Sequence, residues 1–263
     1  MAVLQICAFA LMVITGGPIL VSGQVVALSC SQVPGALVQI DAGNGLVFGV
    51  DSTNKIYTLF GSSLIQLSGA LIHVSVGAAG VWGVNGANYI YKMVGGNWVQ
   101  TSGSLKQIDA GGAQFVAGVN SNNNVYCLNE GATVSAKDGS PLPWVNIPGA
   151  LKYYSCGPLG CWGVNSNDDV FFRNSVTPNN CQGNNWQLIV GKLSMIEVGR
   201  DGTVYGVNSI GHLYRRNGIL NATPMGTSWT QLTFQSRKFR HVSIDLGLLW
   251  LITSDQKIFK CPV

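Results

Sequence analysis

Asparagine or aspartate recurs at one position of a short motif that is repeated along the chain. The motif reads Gly-Val-Asn or Gly-Val-Asp in five copies and Leu-Ile-Thr, ending in Thr253, in a degenerate sixth. Amide and carboxylate groups can hydrogen-bond the vicinal hydroxyls of a saccharide, and aromatic rings can pack on the apolar side of a pyranose. The candidate sugar-binding residues of the motif are Asp51, Asn85, Asn120, Asn165 and Asn208.

Three further polar residues near glycines are candidates for the same chemistry. Asp41 and Asp109 each precede Ala-Gly, and Asn44 lies three residues after Asp41. Each of the candidates has a simpler role as a turn former, because Asn and Asp side chains bond their own backbone in turns. Sequence alone leaves turn formation and sugar contact both open.

Two other features recur in register with the motif. An aliphatic–aromatic pair begins seven residues after the first motif residue, and a large apolar residue precedes the motif by twelve or thirteen residues. The pairs begin at Ile56, Ile90, Val125, Val170, Leu213 and Ile258, and the apolar residues are Leu37, Leu71, Leu105, Leu151, Leu193 and Phe239. Six such copies, roughly forty residues each, indicate an array of one supersecondary unit.

The fold follows from the pattern inside each copy. Short apolar runs separated by Gly, Asn and Ser clusters predict strands joined by tight turns. Four short strands per copy are typical of a propeller blade. We therefore predict an all-β fold, a six-bladed β-propeller of four-stranded antiparallel blades, whose closure hides most strand edges. A β-sandwich is the alternative, but it does not explain six matched copies.

Tryptophans recur at two positions of the copies. Trp82, Trp162 and Trp250 share strand parity with apolar motif residues, which predicts packing between blades. A second set recurs in register before a glycine and is also expected to pack between blades. This set contains Trp98, Trp144, Trp186 and Trp229, with Leu64 in the first copy.

The later copies carry insertions after the aliphatic–aromatic pair. The extra residues lie within 128–143, 173–185 and 215–228, and insertions belong in surface loops. All three loops should project from one rim of the ring. That rim is a candidate recognition face, so the alternative function is a secreted protein-interaction scaffold without sugar binding.

Composition excludes several classes of function. Charged residues make up 10% of the chain and the net charge is +4, so nucleic acid is not an expected partner. The basic clusters Arg215–Arg216 and Arg237–Arg240 are either plain surface or contacts for anionic glycan or lipid phosphate.

Catalytic and metal-binding patterns are missing from the sequence. It holds no G-x-S-x-G, H-E-x-x-H or phosphate-loop motif, so we predict that the protein is not an enzyme. A glycan-processing enzyme, which needs a convergent carboxylate pair, is the catalytic alternative. No Cys-x-x-Cys pair exists and the histidines lack ligand spacing, so no metal site or cofactor is expected, although calcium is not excluded.

The N-terminal segment predicts export. Residues 1–23 carry no charge, contain a short apolar stretch and end in Val-Ser-Gly, which is typical of a signal peptide. We predict one domain, residues 24–263, secreted to the extracellular space. No later segment is apolar enough for membrane insertion. Asn221-Ala-Thr223 is a candidate N-glycosylation sequon.

Cysteines support the same compartment. Removal of Cys7 with the signal peptide leaves six, which allow fifteen pairings. A ring brings the chain ends together, which favours Cys30–Cys261. Cys156 and Cys161 flank a turn and can bridge its hairpin, which leaves Cys127–Cys181.

The copies also resemble a known family. Val81-Trp-Gly-Val-Asn85 followed by Ile90-Tyr91, and Cys161-Trp-Gly-Val-Asn165 followed by Val170-Phe171, look like tectonin repeats. With its signal peptide, terminal cysteines and six copies, the mature chain resembles the fish egg lectins. The resemblance implies a secreted propeller that binds N-acetylglucosamine or related sugars. It also implies recognition of bacterial surface glycans such as lipopolysaccharide, in egg or innate immune defence. The degenerate sixth copy suggests fewer than six equal sites, and an oligomer is possible.

Overall fold

The structure is a computed structural model that describes residues 25–136 and 141–263. The described residues form six β-sheets, which we number as blades 1 to 6, and one short helix. The predicted signal peptide, residues 1–23, lies outside the described part of the chain. Among the described residues, no helix has the length and apolar character needed to cross a membrane.

The strands follow one another blade by blade along the chain. Two strands precede the first blade: β1 (Val25–Ala27) and β2 (Ser31–Ala36). Blade 1 contains β3 (Gln39–Gly43), β4 (Leu46–Val50), β5 (Lys55–Phe60) and β6 (Ser63–Ala70). Blade 2 contains β7 (His73–Gly77), β8 (Gly80–Val84), β9 (Tyr89–Val94) and β10 (Asn97–Ser104). Blade 3 contains β11 (Gln107–Asp109), β12 (Val116–Val119), β13 (Asn124–Leu128), helix α1 (Glu130–Ser135) and β14 (Val145–Ala150).

The second half of the ring repeats this plan. Blade 4 contains β15 (Tyr153–Gly157), β16 (Gly160–Val164), β17 (Asp169–Arg173) and β18 (Trp186–Lys192). Blade 5 contains β19 (Met195–Val198), β20 (Val204–Val207), β21 (Leu213–Asn217) and β22 (Ser228–Thr233). Blade 6 contains β23 (Phe239–Asp245), β24 (Leu248–Thr253) and β25 (Lys257–Pro262).

The predicted six-bladed propeller of four-stranded antiparallel blades is confirmed, and its closure joins the two ends of the chain. The sixth copy contains three strands, and β2 from the N-terminal end completes its sheet by pairing antiparallel with β25. The predicted bond between Cys30 and Cys261 links the same two segments. Strand β1 adds a fifth, parallel strand to blade 5 beside β22, which the sequence pattern did not indicate.

Burial decreases from the axis to the rim of the ring. Innermost strands such as β3 and β7 are buried along their whole length, whereas the outermost strand β6 is largely exposed. The apolar residues of the described chain fall into clusters that each fill the space between neighbouring blades. Trp82, Trp162 and Trp250 lie buried in these clusters, as their strand parity indicated.

The motif glycine packs directly against the large apolar residue that lies twelve or thirteen positions earlier in the chain. A Cβ added at Gly83 would lie 2.4 Å from Leu71 Cδ1, and one at Gly163 would lie 2.3 Å from Leu151 Cδ1. Both distances are far below van der Waals contact, so the leucine requires a glycine on the neighbouring strand. The fixed spacing of the repeat therefore reflects this packing constraint.

The two ends of the ring differ in their loops. We call the end that carries the turns between second and third strands, such as 85–88 and 120–123, the motif face. The opposite end carries the connections between third and fourth strands, including the described residues 129–136 and 141–144 and the connections 174–185 and 218–227, and we call it the loop face. The three insertions therefore share one rim.

Two further disulfides strengthen blades 3 and 4. Cys127 on β13 is bonded to Cys181 in the long connection of the next blade. Cys156 and Cys161 are bonded across the hairpin between β15 and β16.

Replacing both Cys30 and Cys261 by serine should lower the free energy of unfolding by on the order of 4–5 kcal/mol, because the bond closes a long loop. The sequence separation is 231 residues for this bond and 5 for Cys156–Cys161. The matched double replacement of Cys156 and Cys161 should cost about 2 kcal/mol. Urea unfolding measures both variants, and an equal or larger loss for the hairpin pair would contradict the ring-closing role.

Candidate functional site

The motif residues line grooves between neighbouring blades. The groove of blade 3 contains Asn120, Tyr126 and Trp144 from that blade, with Gly103 and neighbouring residues from the end of blade 2. The equivalent groove of blade 5 contains Asn208, Tyr214, Trp229, Gly191 and Lys192. Each groove thus combines an amide, a phenol, an indole and the backbone of a preceding blade.

The motif asparagines use one side of the amide to hold their own turn. Asn120 Oδ1 accepts the backbone N–H groups of Asn122 and Asn124, at 3.0 and 2.9 Å. The Oδ1 atoms of Asn85 and Asn165 accept two N–H groups in the same way, and that of Asn208 accepts one. Asparagine forms such local bonds readily, so turn formation accounts for Oδ1.

The other side of the amide is available in two of the grooves. Within the part of the chain that the structure describes, the Nδ2 groups of Asn120 and Asn208 have no hydrogen-bond partner, and neither do the hydroxyls of Tyr126 and Tyr214. In blade 2, Asn85 Nδ2 lies 3.3 Å from the Tyr91 hydroxyl. These donors are half-buried rather than enclosed. A turn residue can therefore also serve as a ligand-binding residue.

Three tryptophans of the second set connect their blade to the one before it by a hydrogen bond. Trp144 Nε1 donates to the carbonyl oxygen of Ser102 at 2.9 Å, and Trp229 Nε1 donates to that of Val190 at 2.9 Å. Trp186 bonds Pro148 in the same way. In each case the acceptor immediately precedes a glycine of the neighbouring outer strand.

That glycine makes room for the indole. Gly103 has φ of +112°, and a Cβ there would lie 2.5 Å from Trp144 Nε1. Gly149 and Gly191 have φ of +140° and +139° and face Trp186 and Trp229. Left-handed conformation and close approach both exclude side chains at these positions. The indoles stay half-buried, so the contact that joins the blades also forms a wall of the groove.

The grooves are small and unequal. Those of blades 3 and 5 measure about 220 and 240 Å³, below the roughly 300–1,000 Å³ of sites that enclose drug-sized ligands. Blade 4 has Phe171 in place of tyrosine, and its Asn165 Nδ2 donates to Asp169. Blade 1 has Leu64 in place of tryptophan, and Tyr57 donates to its motif carboxylate Asp51. One sugar ring matches the size of such a groove.

The carboxyls of Asp41 and Asp109 lie elsewhere. Both are on innermost strands at the axis, where they are 6% exposed. Desolvation raises the pKa of Asp41, and desolvation together with the nearby Asp41 raises the pKa of Asp109 to about 8. Neither carboxyl reaches the grooves, because the innermost strand that contains it is enclosed by neighbouring blades.

These two residues belong to a ring of side chains around the axis, which we call the axial ring. In blade order its members are Asp41, Ser75, Asp109, Ser155, Glu197 and Ser243. Five of them accept a backbone N–H from the innermost strand of the next blade. The donors are Val76, Ala110, Cys156, Val198 and Ala42, at 2.5, 2.8, 3.0, 3.0 and 2.9 Å.

Three aromatic side chains close the axis beside this ring, toward the motif face. The Tyr153 hydroxyl lies 3.0 Å from Nε2 of both His73 and His241. Their rings meet edge to face, with centroids 5.6 to 6.2 Å apart. Desolvation lowers the pKa of His73 to about 3 and that of His241 well below its ordinary value, so both are neutral at physiological pH.

The remaining candidates lie on the loop face. Asn44 is exposed there, and its Nδ2 donates to the carbonyl oxygen of Gly77 at 2.7 Å. Asn221 is exposed at the tip of the 218–227 loop, in a turn closed by bonds between Leu220 and Thr223. Arg216 of the basic cluster is held within the protein, because it donates to Met225 and lies over the rings of Trp162 and Trp229.

Residues 25–136 and 141–263 contain no group of three or more His, Cys, Asp or Glu side chains placed to hold a metal ion.

Sequence reasoning assigned the motif asparagines to turns, as candidate sugar contacts, and assigned the tryptophans to packing alone. Trp144 and Trp229, with Tyr126 and Tyr214 six residues after the motif asparagines, line the same grooves. Trp98 packs against Gly69 of the preceding blade. The signal was present in the sequence, since all three residue types recur in register. Alternation along one strand could not show that an indole reaches across to the preceding blade.

Comparisons with known proteins match this architecture. A family model described as the tectonin domain matches residues 36–254. The fish-egg lectin of Cyprinus carpio is 55% identical over 235 residues, which cover 89% of this chain and 98% of that protein. The perivitellin-2 31 kDa subunit of Pomacea maculata is 36% identical over 76 residues, which cover 28% of this chain and 27% of that protein.

Solved structures of distant sequence share the fold. Virginiamycin B lyase from Staphylococcus aureus superposes with a TM-score of 0.58 at 14% identity, over 85% of this chain and 79% of that one. YCF48 bound to D1 peptide gives a TM-score of 0.54 at 12% identity, over 90% of this chain and 95% of that one. At these identities the likeness concerns the propeller alone.

Replacing Gly103 by alanine should lower the free energy of unfolding by about 2–4 kcal/mol, because the new Cβ meets Trp144 and the backbone is left-handed. The control is Gly96→Ala, where φ is +83° but nothing lies within 4 Å of the new Cβ. It should cost about 1 kcal/mol. Denaturant unfolding followed by tryptophan fluorescence measures both, and equal losses would show that Trp144 does not depend on the glycine.

Proposed function

The chain belongs to the fish-egg lectin group of the tectonin family, and we propose that it binds N-acetylglucosamine-type sugars in the grooves between its blades. It is a lectin, and its family is one of carbohydrate-binding proteins rather than enzymes. The observation that carries the proposal is the recurrence, in matching grooves, of an amide donor, a phenol and a half-buried indole. Neither catalysis nor a cofactor is part of the proposal.

Each component of the groove has a role toward an amino sugar. The motif asparagine donates from Nδ2 to the acetamido carbonyl, while its Oδ1 stays committed to the turn. The tyrosine hydroxyl bonds a ring hydroxyl, and the indole packs against the acetamido methyl or the apolar face of the sugar. Because the turn holds the amide in place before binding, little side-chain entropy is lost on association.

The blades are expected to differ in affinity. Blades 2, 3 and 5 carry the complete set of asparagine, tyrosine and tryptophan. Blade 4 lacks the phenol and blade 1 lacks both the amide and the indole, so these two bind weakly. Blade 6 has Thr253 in place of the motif asparagine and Phe259 in place of the tyrosine, so it contributes no site. The proposal therefore omits Asp41, Asp109 and Asn44, and ranks Asp51 and Asn165 below Asn85, Asn120 and Asn208.

Several weak sites on one rigid ring suit a repetitive surface. Simultaneous binding to a polymer raises the apparent affinity well above that of any single groove. We propose that the natural targets are bacterial wall polysaccharide or lipopolysaccharide, in egg or innate immune defence. The three disulfides fit an oxidising, extracellular location.

Replacing Asn85, Asn120 and Asn208 together by aspartate should weaken N-acetylglucosamine binding about five- to tenfold, because each groove loses a donor worth roughly 1–1.5 kcal/mol. The fold should persist, since aspartate keeps the Oδ1 acceptor of the turn. Isothermal titration with N-acetylglucosamine measures affinity, and binding to immobilised lipopolysaccharide with free sugar as competitor measures avidity.

The matched control replaces Asn54, Asn122 and Asn167 by aspartate. These residues lie in the equivalent turns of blades 1, 3 and 4, are exposed, and as aspartates add the same charge. The control should bind as the wild type does. Unchanged binding by the motif variant, with its unfolding curve intact, would reduce the asparagines to turn formers and overturn the proposed site.

A further inference from the structure

The axial ring contains more carboxyl groups than its hydrogen-bond donors can satisfy. Ser243 Oγ lies 2.9 Å from Asp41 Oδ1 and 2.9 Å from Glu197 Oε1, and it also accepts the Ala42 N–H at 2.9 Å. A serine hydroxyl has one proton, so it can donate to one of these carboxyls and not to both. The other contact needs a proton supplied by a carboxyl group.

The distribution of donors identifies that group. Asp41 accepts the N–H of Val76 and shares the N–H of Ala42 with Ser243, and Asp109 accepts those of Cys156 and Gly111. Glu197 is in hydrogen-bond contact with Ser243, whose hydroxyl also contacts Asp41. Among the described residues, no backbone N–H donates to Glu197. Two carboxyls that share one hydroxyl need a second proton, and Glu197 is the one that lacks backbone donors for a carboxylate.

Among the described residues, no cation forms an ion pair with the axial ring, and Arg240, which helps to lower the pKa of His241, is exposed on β23. His73, Tyr153 and His241 lie in the adjacent layer, and burial keeps both histidines neutral. Asp245, also on β23, accepts the N–H of Gly45. The ion pairs of the described residues all lie outside the ring. Burial and the nearby Asp41 and Asp109 raise the pKa of Glu197 well above its ordinary value.

We propose that Glu197 is a neutral carboxylic acid at physiological pH and donates its proton within the axial ring, so that alkaline solution weakens the closed propeller. Five members of the ring accept a backbone N–H from the next blade, and Glu197 does not. A hydrogen bond donated by the Glu197 carboxyl takes the place of that sixth bond, between blades 5 and 6. Glutamate is one methylene longer than aspartate, and it bonds the side chain of the next blade rather than its backbone.

The direction of the pH dependence follows from proton linkage. In the unfolded chain Glu197 ionises near its ordinary pKa of about 4.3, whereas in the folded ring it keeps its proton to higher pH. Its contribution is therefore complete below that value and is lost as pH rises through the folded-state pKa. Between these two values the folding equilibrium constant falls up to about tenfold per pH unit for this one proton.

The test compares the wild type with Glu197→Gln, whose amide donates without ionising. Chemical unfolding between pH 5 and 9 should give a wild-type stability that falls more steeply with pH, by up to about tenfold in the equilibrium constant per unit. The slope that remains in the variant belongs to the other buried groups with shifted pKa values, which include Asp41, Asp109, His73 and His241. Infrared spectra should show the carbonyl band of a protonated carboxylic acid at neutral pH, and the band should weaken in the variant.

A surface change of the same kind, Glu130→Gln, serves as the control and should leave both the slope and the infrared band unchanged. Parallel pH profiles for wild type and Glu197→Gln, with an unchanged band, would overturn the proposal. So would stabilisation of the wild type by calcium that the variant does not share, because the ring would then hold a cation in place of the proton.

Discussion

Close approach of a large side chain to a glycine is the contact on which the rest of this structure depends. Within a blade, a leucine occupies the space that a Cβ at the motif glycine of the neighbouring strand would fill. Between blades, an indole packs where a Cβ of the preceding outer strand would stand, as Trp144 does at Gly103. The second contact leaves the indole half-exposed beside the motif asparagine. Blade packing and the binding groove are therefore built from one interaction.

The ring has two zones with different chemistry. At the periphery, exposed turns and indoles vary from blade to blade, as Phe171 and Leu64 show, and this variation makes the grooves unequal. At the axis, acidic residues on blades 1, 3 and 5 alternate with serines on blades 2, 4 and 6. The neighbouring layer alternates in the same way, with His73, Tyr153 and His241 on the even blades. Binding can thus diversify at the rim while the axis keeps one hydrogen-bonding scheme.

The repeat itself could be predicted because it reflects local rules. Turn-forming asparagine, strand alternation and the leucine–glycine spacing all act within about forty residues. The disulfide between Cys30 and Cys261 followed from the topology of a ring. Strand β2 in blade 6 did not follow from the repeat, because its sequence lies more than two hundred residues from its partner β25. A pattern confined to one copy cannot show which distant segment completes a sheet.

The same limit explains why Asp41 and Asp109, which the sequence offered as sugar-binding candidates, are buried at the axis. Their Asp-Ala-Gly signature has the composition of an exposed turn, yet both residues belong to strands enclosed by two neighbouring blades. Burial there is a property of the assembled ring and not of the local sequence. For the tryptophans, the packing role could be predicted from the sequence. Their second role, as walls of the grooves, could not be predicted without the position of the neighbouring blade.

The most direct test of the central claim is a crystal structure of the protein soaked with N-acetylglucosamine. The account predicts sugar density over Trp98, Trp144 and Trp229, with the acetamido carbonyl within hydrogen-bond distance of the motif asparagine Nδ2 atoms. Sugar bound instead among the long connections of the loop face, with these grooves empty, would contradict it.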